Sequence, residues 1–95
     1  MNEIEFRSWL IQGQTQKKVR GDCISRLKRV ERALGIDLDK EYKKDKLENV
    51  LKAFSNMGKN EEMQKYGDVN LPIGKYYMST YSHSLKKYIK FKNEK

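Results

Sequence analysis

Apolar residues recur along the chain at the three- and four-residue spacing that is typical of amphipathic α-helices. The longest such stripe consists of Val19, Cys23, Leu27, Val30 and Leu34. Ile24 widens it, Thr15 stands where an N-cap is expected, and Gly35 supplies a C-terminal stop. The pattern predicts a helix from about Thr15 to Leu34, and Gly21 inside it predicts a close contact with a neighbouring helix.

A shorter helix is predicted near the amino terminus, over about residues 3–12. Asn2 is a favourable N-cap, and Glu5 follows three positions later, as in a capping box. Gly13 is the expected stop. The side chains expected to face the core are Phe6, Trp9 and Leu10.

Two more helices are predicted in the second half of the chain. One begins at a capping pair, Asp45 and Glu48, and ends at Gly58. Its buried side consists of Leu47, Val50, Leu51 and Phe54. The other spans about residues 75–92. Its buried side consists of Tyr77, Tyr81, Leu85 and Tyr88, with Met78, Ile89 and Phe91 beside it.

The remaining segments are predicted to be irregular. Residues 36–45, "IDLDKEYKKD", form a charged connector anchored by Ile36, Leu38 and Tyr42. A short helical turn is expected at about residues 61–66, and Leu71-Pro72 and Gly74 indicate a loop. No segment alternates for long enough to predict a strand. The sequence therefore predicts an all-α fold, a small bundle of four main helices in a single domain over residues 1–95.

Charge is distributed unevenly along this pattern. The chain carries 21 Lys and Arg against 13 Asp and Glu, a net charge of +8. Residues 15–35 and 71–95 each carry a net charge of +5, whereas residues 1–14 and 36–70 each carry −1. Such a basic excess favours polyanionic partners, nucleic acid first and acidic protein or anionic membrane second. The opening apolar run is too short for a signal peptide or a membrane span, so we expect no membrane association.

Both basic segments form predicted helices whose outer faces hold cations and almost no acid. At 100° per residue, the outer sector of the second helix lies opposite Leu27 and that of the last helix lies opposite Tyr81. The predicted nucleic-acid contacts in these sectors are Lys18, Lys28, Arg29, Arg32, His83, Lys86 and Lys90. Long cationic side chains suit contact with phosphate. Two alternatives stay open: a solvated face that keeps the domain soluble, and a surface for an acidic protein.

The order of aromatic and apolar anchors also resembles a known family. "FRSWL" opens the chain, "SRLKRVERALG" follows, and then come "DLD", "LENVLKAF" and a closing "YSHSLKKYIKF". This pattern covers about residues 4–92. It is similar to the N-terminal core-binding (SAM-like) helical domain of phage-type tyrosine recombinases, and to N-terminal domains of some bacterial restriction and mobile-element proteins. The connector over residues 56–74 is longer than the pattern of that family.

The resemblance implies a function as well as a fold. In that family the helical domain clamps duplex DNA from one side, mainly through the phosphate backbone, and a separate domain performs the catalysis. It therefore implies a non-catalytic DNA-binding module, either free-standing or at the amino terminus of a longer protein. The contacts it implies are Lys28, Arg29, Arg32, Lys86 and Lys90. The alternative is a small phage or mobile-element protein that binds an acidic or nucleic-acid-binding host protein, and a third hypothesis is a domain for assembly.

The sequence offers little for catalysis, metal binding or redox chemistry. His83 is the only histidine and is expected on an exposed helix face, whereas Cys23 is expected in the core. A single cysteine favours a reducing, cytoplasmic setting. Four acids match positions 1, 3, 5 and 12 of a calcium loop, namely Asp37, Asp39, Glu41 and Glu48. Position 6 is Tyr42 instead of the required glycine, so we expect no metal site. Because the sequence offers no set of residues suited to catalysis, we also expect no cofactor and no enzymatic activity.

Overall fold

The computed structural model describes residues 1–55, 59–67 and 75–94, with side chains in the last range from residue 79 onward. Within these ranges the chain is helical and contains no strand, which confirms the all-α prediction. The described residues form six helices where four main ones were predicted: α1 (Glu3–Gln12), α2 (Lys17–Leu34), α3 (Leu38–Asp45), α4 (Glu48–Ala53), α5 (Glu61–Gln64) and α6 (Lys75–Asn93). None of the helices in these ranges is long and apolar enough to cross a membrane.

Helix α1 has the ends that its sequence predicts. The side chain of Asn2 accepts a hydrogen bond from the backbone N–H of Glu5 at 3.3 Å, and the helix stops at Gly13. Phe6 is fully buried, as is Leu10 apart from about 1% of its surface. Trp9 is only half-buried, because its indole lies at the edge of the core.

Helix α2 buries the predicted stripe except at its first turn. Cys23, Ile24, Leu27, Val30 and Leu34 all lie in the core. The prediction that Val19 belongs to the same stripe is wrong, since 41% of its side chain is exposed. The apolar spacing thus continues one turn beyond the helices that cover α2.

Of the predicted glycine and cap features of α2, the C-terminal stop is confirmed and the other two are wrong. Gly35 adopts the left-handed conformation, with φ of 66°, that a glycine stop permits. Gly21 has no atom within 4 Å of the position that a Cβ would take, so the predicted close helix contact is wrong. The N-cap is Gln16, in extended conformation and without a side-chain cap, so the prediction of Thr15 as cap is also wrong.

The charged segment after α2 is a helix, not the predicted connector. Asp37 caps α3 by accepting a hydrogen bond from the N–H of Asp39 at 2.9 Å. Leu38 is completely buried, and Ile36 and Tyr42 pack against the core. The three predicted anchors thus hold a regular element in place.

The predicted capping box of the next helix is wrong in its details. Asp45 is the last residue of α3, and the N-cap of α4 is Leu47 in left-handed conformation. The carboxylate of Asp45 still accepts a hydrogen bond from the N–H of Asn49 at 3.1 Å. Glu48 instead lies 3.8 Å from the ammonium of Lys52. Asp45 therefore links two short helices, where a simple cap was expected.

Helices α4 and α5 pack against each other and close one end of the core. Leu47, Val50 and Phe54 are buried as predicted, whereas Leu51 is half-buried. Helix α5 corresponds to the predicted turn and buries Met63. The predicted stop at Gly58 and the predicted loop at Leu71-Pro72 and Gly74 lie outside the described residues.

Helix α6 is the central element, because it contacts α1, α2 and α4. Tyr81, Leu85 and Tyr88 are buried as predicted, and Phe91 is buried as well. The ring of Phe6 lies 5.0 Å from that of Tyr88 and 5.3 Å from that of Phe91. This aromatic cluster fixes the first helix to the last. The side chains of Tyr77 and Met78 lie outside the described residues.

Candidate nucleic-acid interface

Helices α2 and α6 run antiparallel and side by side. Near one end of their contact, Nη1 of Arg29 lies 3.5 Å from the hydroxyl of Tyr81. Two turns earlier in α2, the thiol of Cys23 lies beside the hydroxyl of Ser84. Arg29 of α2 is thus opposite Tyr81 of α6, and the earlier residue Cys23 is opposite the later residue Ser84. The two helices therefore run in opposite directions. The two most basic segments of the chain are therefore neighbours in space.

Two cations flank the middle of this contact. Burial raises the pKa of the Cys23 thiol, and the nearby hydroxyl of Ser84 and the charges of Lys87 and Arg26 partly oppose that rise. Both charges must lie close to Cys23 to have this effect. Arg26 of α2 and Lys87 of α6 therefore both lie near the contact between the two helices.

The seven predicted contact residues are all exposed: Lys18, Lys28, Arg29, Arg32, His83, Lys86 and Lys90. The structure does not bring all of them together. Lys28 and Arg26 project from opposite flanks of α2, about 100° on either side of Leu27. Because the flank with Arg26 meets α6, Lys28 projects away from α6. Lys18 and Arg32 lie on the outer surface of α2.

Lys28 is engaged in an ion pair with α1. Its ammonium lies 2.5 Å from Oε1 of Glu3. The hydrogen bond from Lys28 is the main reason why the pKa of the Glu3 carboxyl is lowered, and Arg7 contributes in the same direction. Lys28 is therefore the predicted residue least available to an external anion. No sequence pattern shows this pair, because it depends on how α1 docks.

The exposed and half-buried basic surface at this helix pair is here called the α2–α6 face. It consists of Arg26, Arg29, His83, Lys86, Lys87 and Lys90. At the margin next to α4, Lys86 also lines a cleft together with Glu48. Arg26 and Lys87 were not among the predicted contacts. Arg26 and Lys87 lie at the flanks of their helices. The sequence does not show which flanks of α2 and α6 meet, so it did not identify these two residues. Asp22, half-buried between Arg26 and Arg29 on the helical wheel, is the acid of α2 on this side.

The groups considered for catalysis are placed differently. His83 is exposed on α6, as expected, and Cys23 is buried with a raised pKa, which disfavours the reactive thiolate. No cluster of three or more histidine, cysteine or acidic side chains suited to a metal exists among the described residues. Neither Asp37 nor Asp39 offers a free carboxylate, because both contact the amino group of Met1.

The amino group of Met1 is the centre of a polar cluster on the opposite side of α6. It lies 2.8 Å from the carboxylate of Glu31, 3.2 Å from that of Asp37 and 3.8 Å from that of Asp39. Tyr88 joins the cluster, since its hydroxyl accepts a hydrogen bond from Asn2 N–H at 2.9 Å and donates one to Asp39. The pKa values of groups in the cluster shift accordingly. Burial alone would lower the pKa of the Met1 ammonium, but its hydrogen bonds to carboxylates raise it.

Comparisons with models of known protein families, with curated protein sequences and with solved structures gave no significant match. The residues of the α2–α6 face therefore carry the functional interpretation by themselves.

Proposed function

We propose that this chain is a non-catalytic DNA-binding module that contacts the phosphate backbone of a duplex through the α2–α6 face. It acts in the reducing cytoplasm, where the single thiol of Cys23 stays reduced. The proposal shifts the contact from two separate basic faces to one face shared by both helices. Lys28, Arg32 and Lys18 then lie at or beyond its margin.

The observation that carries the proposal is the antiparallel packing of α2 against α6. It unites the two segments that hold the entire positive excess of the chain. Five permanent cations and His83 then share one surface, where they outnumber the half-buried carboxylate of Asp22 and the carboxylates of Glu48 and Glu94 at its margins. A surface of this kind neutralises phosphates and releases condensed counterions, which is the main source of sequence-independent DNA affinity.

The dimensions of the face suit a duplex. Helix α2 has 18 residues and α6 has 19, so at 1.5 Å per residue each is about 27 Å long. Because base pairs are spaced by about 3.4 Å, this length spans about eight of them. Backbone contacts along such a length position the protein without specifying a sequence.

The test is a titration with duplex DNA at several salt concentrations. We expect the logarithm of affinity to fall linearly with the logarithm of salt, with a slope of about −4 if all five cations meet phosphates. Charge reversal at two exposed positions, Arg29→Glu with Lys90→Glu, should flatten that slope by about two units. Circular dichroism of the variant should match the wild type, since neither side chain is buried.

A matched control comes from α3. The pair Lys40→Glu with Lys43→Glu also replaces two exposed lysines or arginines and lowers the net charge from +8 to +4. If only the overall charge matters, this control will weaken binding as much as the first variant. If the α2–α6 face is the contact, the control will keep most of the affinity and the original slope. Failure of the wild type to bind duplex DNA at low salt would exclude the proposal.

A protein-binding function is the second candidate, and it rests on α1. Ile4 is 84% exposed and Ile11 is 52% exposed, and the seven-residue spacing puts both on one side of the helix. Exposed isoleucines on the same helix face are typical of contact surfaces. Ile4→Lys should leave DNA affinity unchanged and should abolish association with a protein partner that uses this side.

A further inference from the structure

A cleft of about 360 Å³ lies at one end of the α2–α6 face. It is lined by Trp9, Leu10, Gln12, Gly13, Thr15, Lys87, Lys90 and Glu94. Lys87 and Lys90 therefore belong both to the face and to the cleft. The turn between α1 and α2 closes the far side through Gly13 and Thr15. The volume falls within the range of small-ligand sites and excludes a duplex.

The cleft contains more basic than acidic side chains. Lys87 and Lys90 line the same cleft as one acidic residue, Glu94. The indole Nε1 of Trp9 donates a hydrogen bond to that carboxylate at 3.0 Å. Among the residues that the structure describes, neither lysine forms an ion pair of its own. With Glu94 in place, the cleft therefore keeps a net charge of about +1.

From this geometry we infer that the cleft binds a phosphate monoester, such as the terminal phosphate of a DNA strand. A monoester carries a charge of about −1.5 to −2 at neutral pH, which matches two lysines once Glu94 moves aside. A diester phosphate carries one negative charge and has substituents on both sides, so it fits the open face better than this narrower cleft. A strand that follows the α2–α6 face then places its end between Lys87, Lys90 and the hydroxyl of Thr15.

This inference rests on the proposed function for its source of phosphate, but it has its own test. Trp9 is the only tryptophan, so the intrinsic fluorescence of the protein reports on the cleft directly. The probes are one short oligonucleotide with a 5′-phosphate, the same oligonucleotide with a 5′-hydroxyl, and inorganic phosphate. The phosphorylated strand should bind about tenfold more tightly than the hydroxyl form, as expected for charge-assisted hydrogen bonds. Its binding should also change the emission of Trp9.

Three variants locate the effect. Lys87→Gln and Lys90→Gln should each remove the preference for the phosphorylated strand. Lys86→Gln is the matched control, because Lys86 lies on the face but not in the cleft. It should weaken both strands equally and leave their ratio unchanged. Glu94→Gln should strengthen binding of the phosphorylated strand, because it removes the competing carboxylate.

The outcomes separate this inference from the proposed function. Equal affinity for both strands, with duplex binding intact, would overturn the cleft and leave the DNA contact standing. A preference for the phosphorylated strand without duplex binding would support the cleft and reject the proposed function. Inorganic phosphate that binds as tightly as the strand would support the site and assign it to free phosphates. A preference that survives both cleft lysine substitutions would reject the site.

Discussion

Acetylation of the α-amino group of Met1 should destabilise the 95-residue chain strongly. The modification removes the positive charge but leaves the carboxylates of Glu31, Asp37 and Asp39 close together. Lys92, whose ammonium is 3.3 Å from Asp39, then becomes the nearby compensating cation. The free amine therefore links α2 to the start of α3 through one group.

The expected loss follows from the geometry of the two shortest contacts. Charge-assisted hydrogen bonds contribute about 1.5–3 kcal/mol each, and those of Met1 are 2.8 and 3.2 Å long. Solvent reduces this value, because the side chain of Glu31 is 20% exposed and that of Asp37 is 45% exposed. We expect a net loss of about 2 kcal/mol, which for a domain of this size lowers Tm by roughly 8–16 °C.

The pH dependence gives a second signature. The pKa of the Met1 amine is raised by folding above its ordinary value of 8.0. Its contribution is thus complete below pH 8 and is lost as the pH rises through the folded pKa. The raised pKa values of Cys23 and Tyr88 act in the same direction but are common to both forms. Between pH 8 and 10 the free-amine protein should therefore lose more stability than the acetylated one.

The assay is chemical denaturation of the acetylated and free-amine proteins, each with and without Glu31→Gln. Coupling between the two changes should be about 1 kcal/mol or more, because they remove opposite ends of one contact. Equal free energies of unfolding together with parallel pH profiles would refute this account of the amino terminus. Additive effects in the cycle would show that Met1 and Glu31 do not interact.

Three further substitutions test particular contacts, each by denaturant unfolding. Trp9→Ala should cost about 2–3 kcal/mol, less than a fully buried tryptophan, because its ring is half-buried against Phe6; a loss near zero would show that α1 does not dock as described. Asp45→Ala should cost about 0.5–1 kcal/mol through loss of the bond to Asn49 N–H and should leave DNA affinity unchanged, so a large loss of affinity at unaltered stability would contradict this role. Val19→Ala should change stability by less than about 0.5 kcal/mol, whereas a cost as large as that of a core residue would contradict its exposure.

Helix spacing predicted which residues lie inside, but not where each helix meets its neighbours. The apolar period of α2 includes Val19, and nothing local shows that the covering helices stop one turn short of it. In α3, eight residues with only two apolar anchors look like a connector. The spacing of four between Leu38 and Tyr42, together with Asp37 as cap, was the available signal for a helix.

The candidate interface shows the same limit. Exposure of the seven predicted contact residues followed from the helical wheel, because opposite faces of an amphipathic helix differ in burial. The pair between Lys28 and Glu3, and the placement of Arg26 and Lys87 near Cys23, depend on tertiary docking and have no local signature. The amino group of Met1 is likewise unremarkable in the sequence. It becomes important only because three distant carboxylates converge on it.

The central position of α6 has a consequence for the order in which the chain can fold. The partners of Phe6 in the aromatic cluster, Tyr88 and Phe91, are separated from it by almost the whole chain. During synthesis on a ribosome, helices α1 to α5 emerge before the element that covers them. Their apolar sides stay exposed to water, and to chaperones, until α6 is released. Closure of the core is therefore a late event, because it depends on contacts between residues far apart in the sequence.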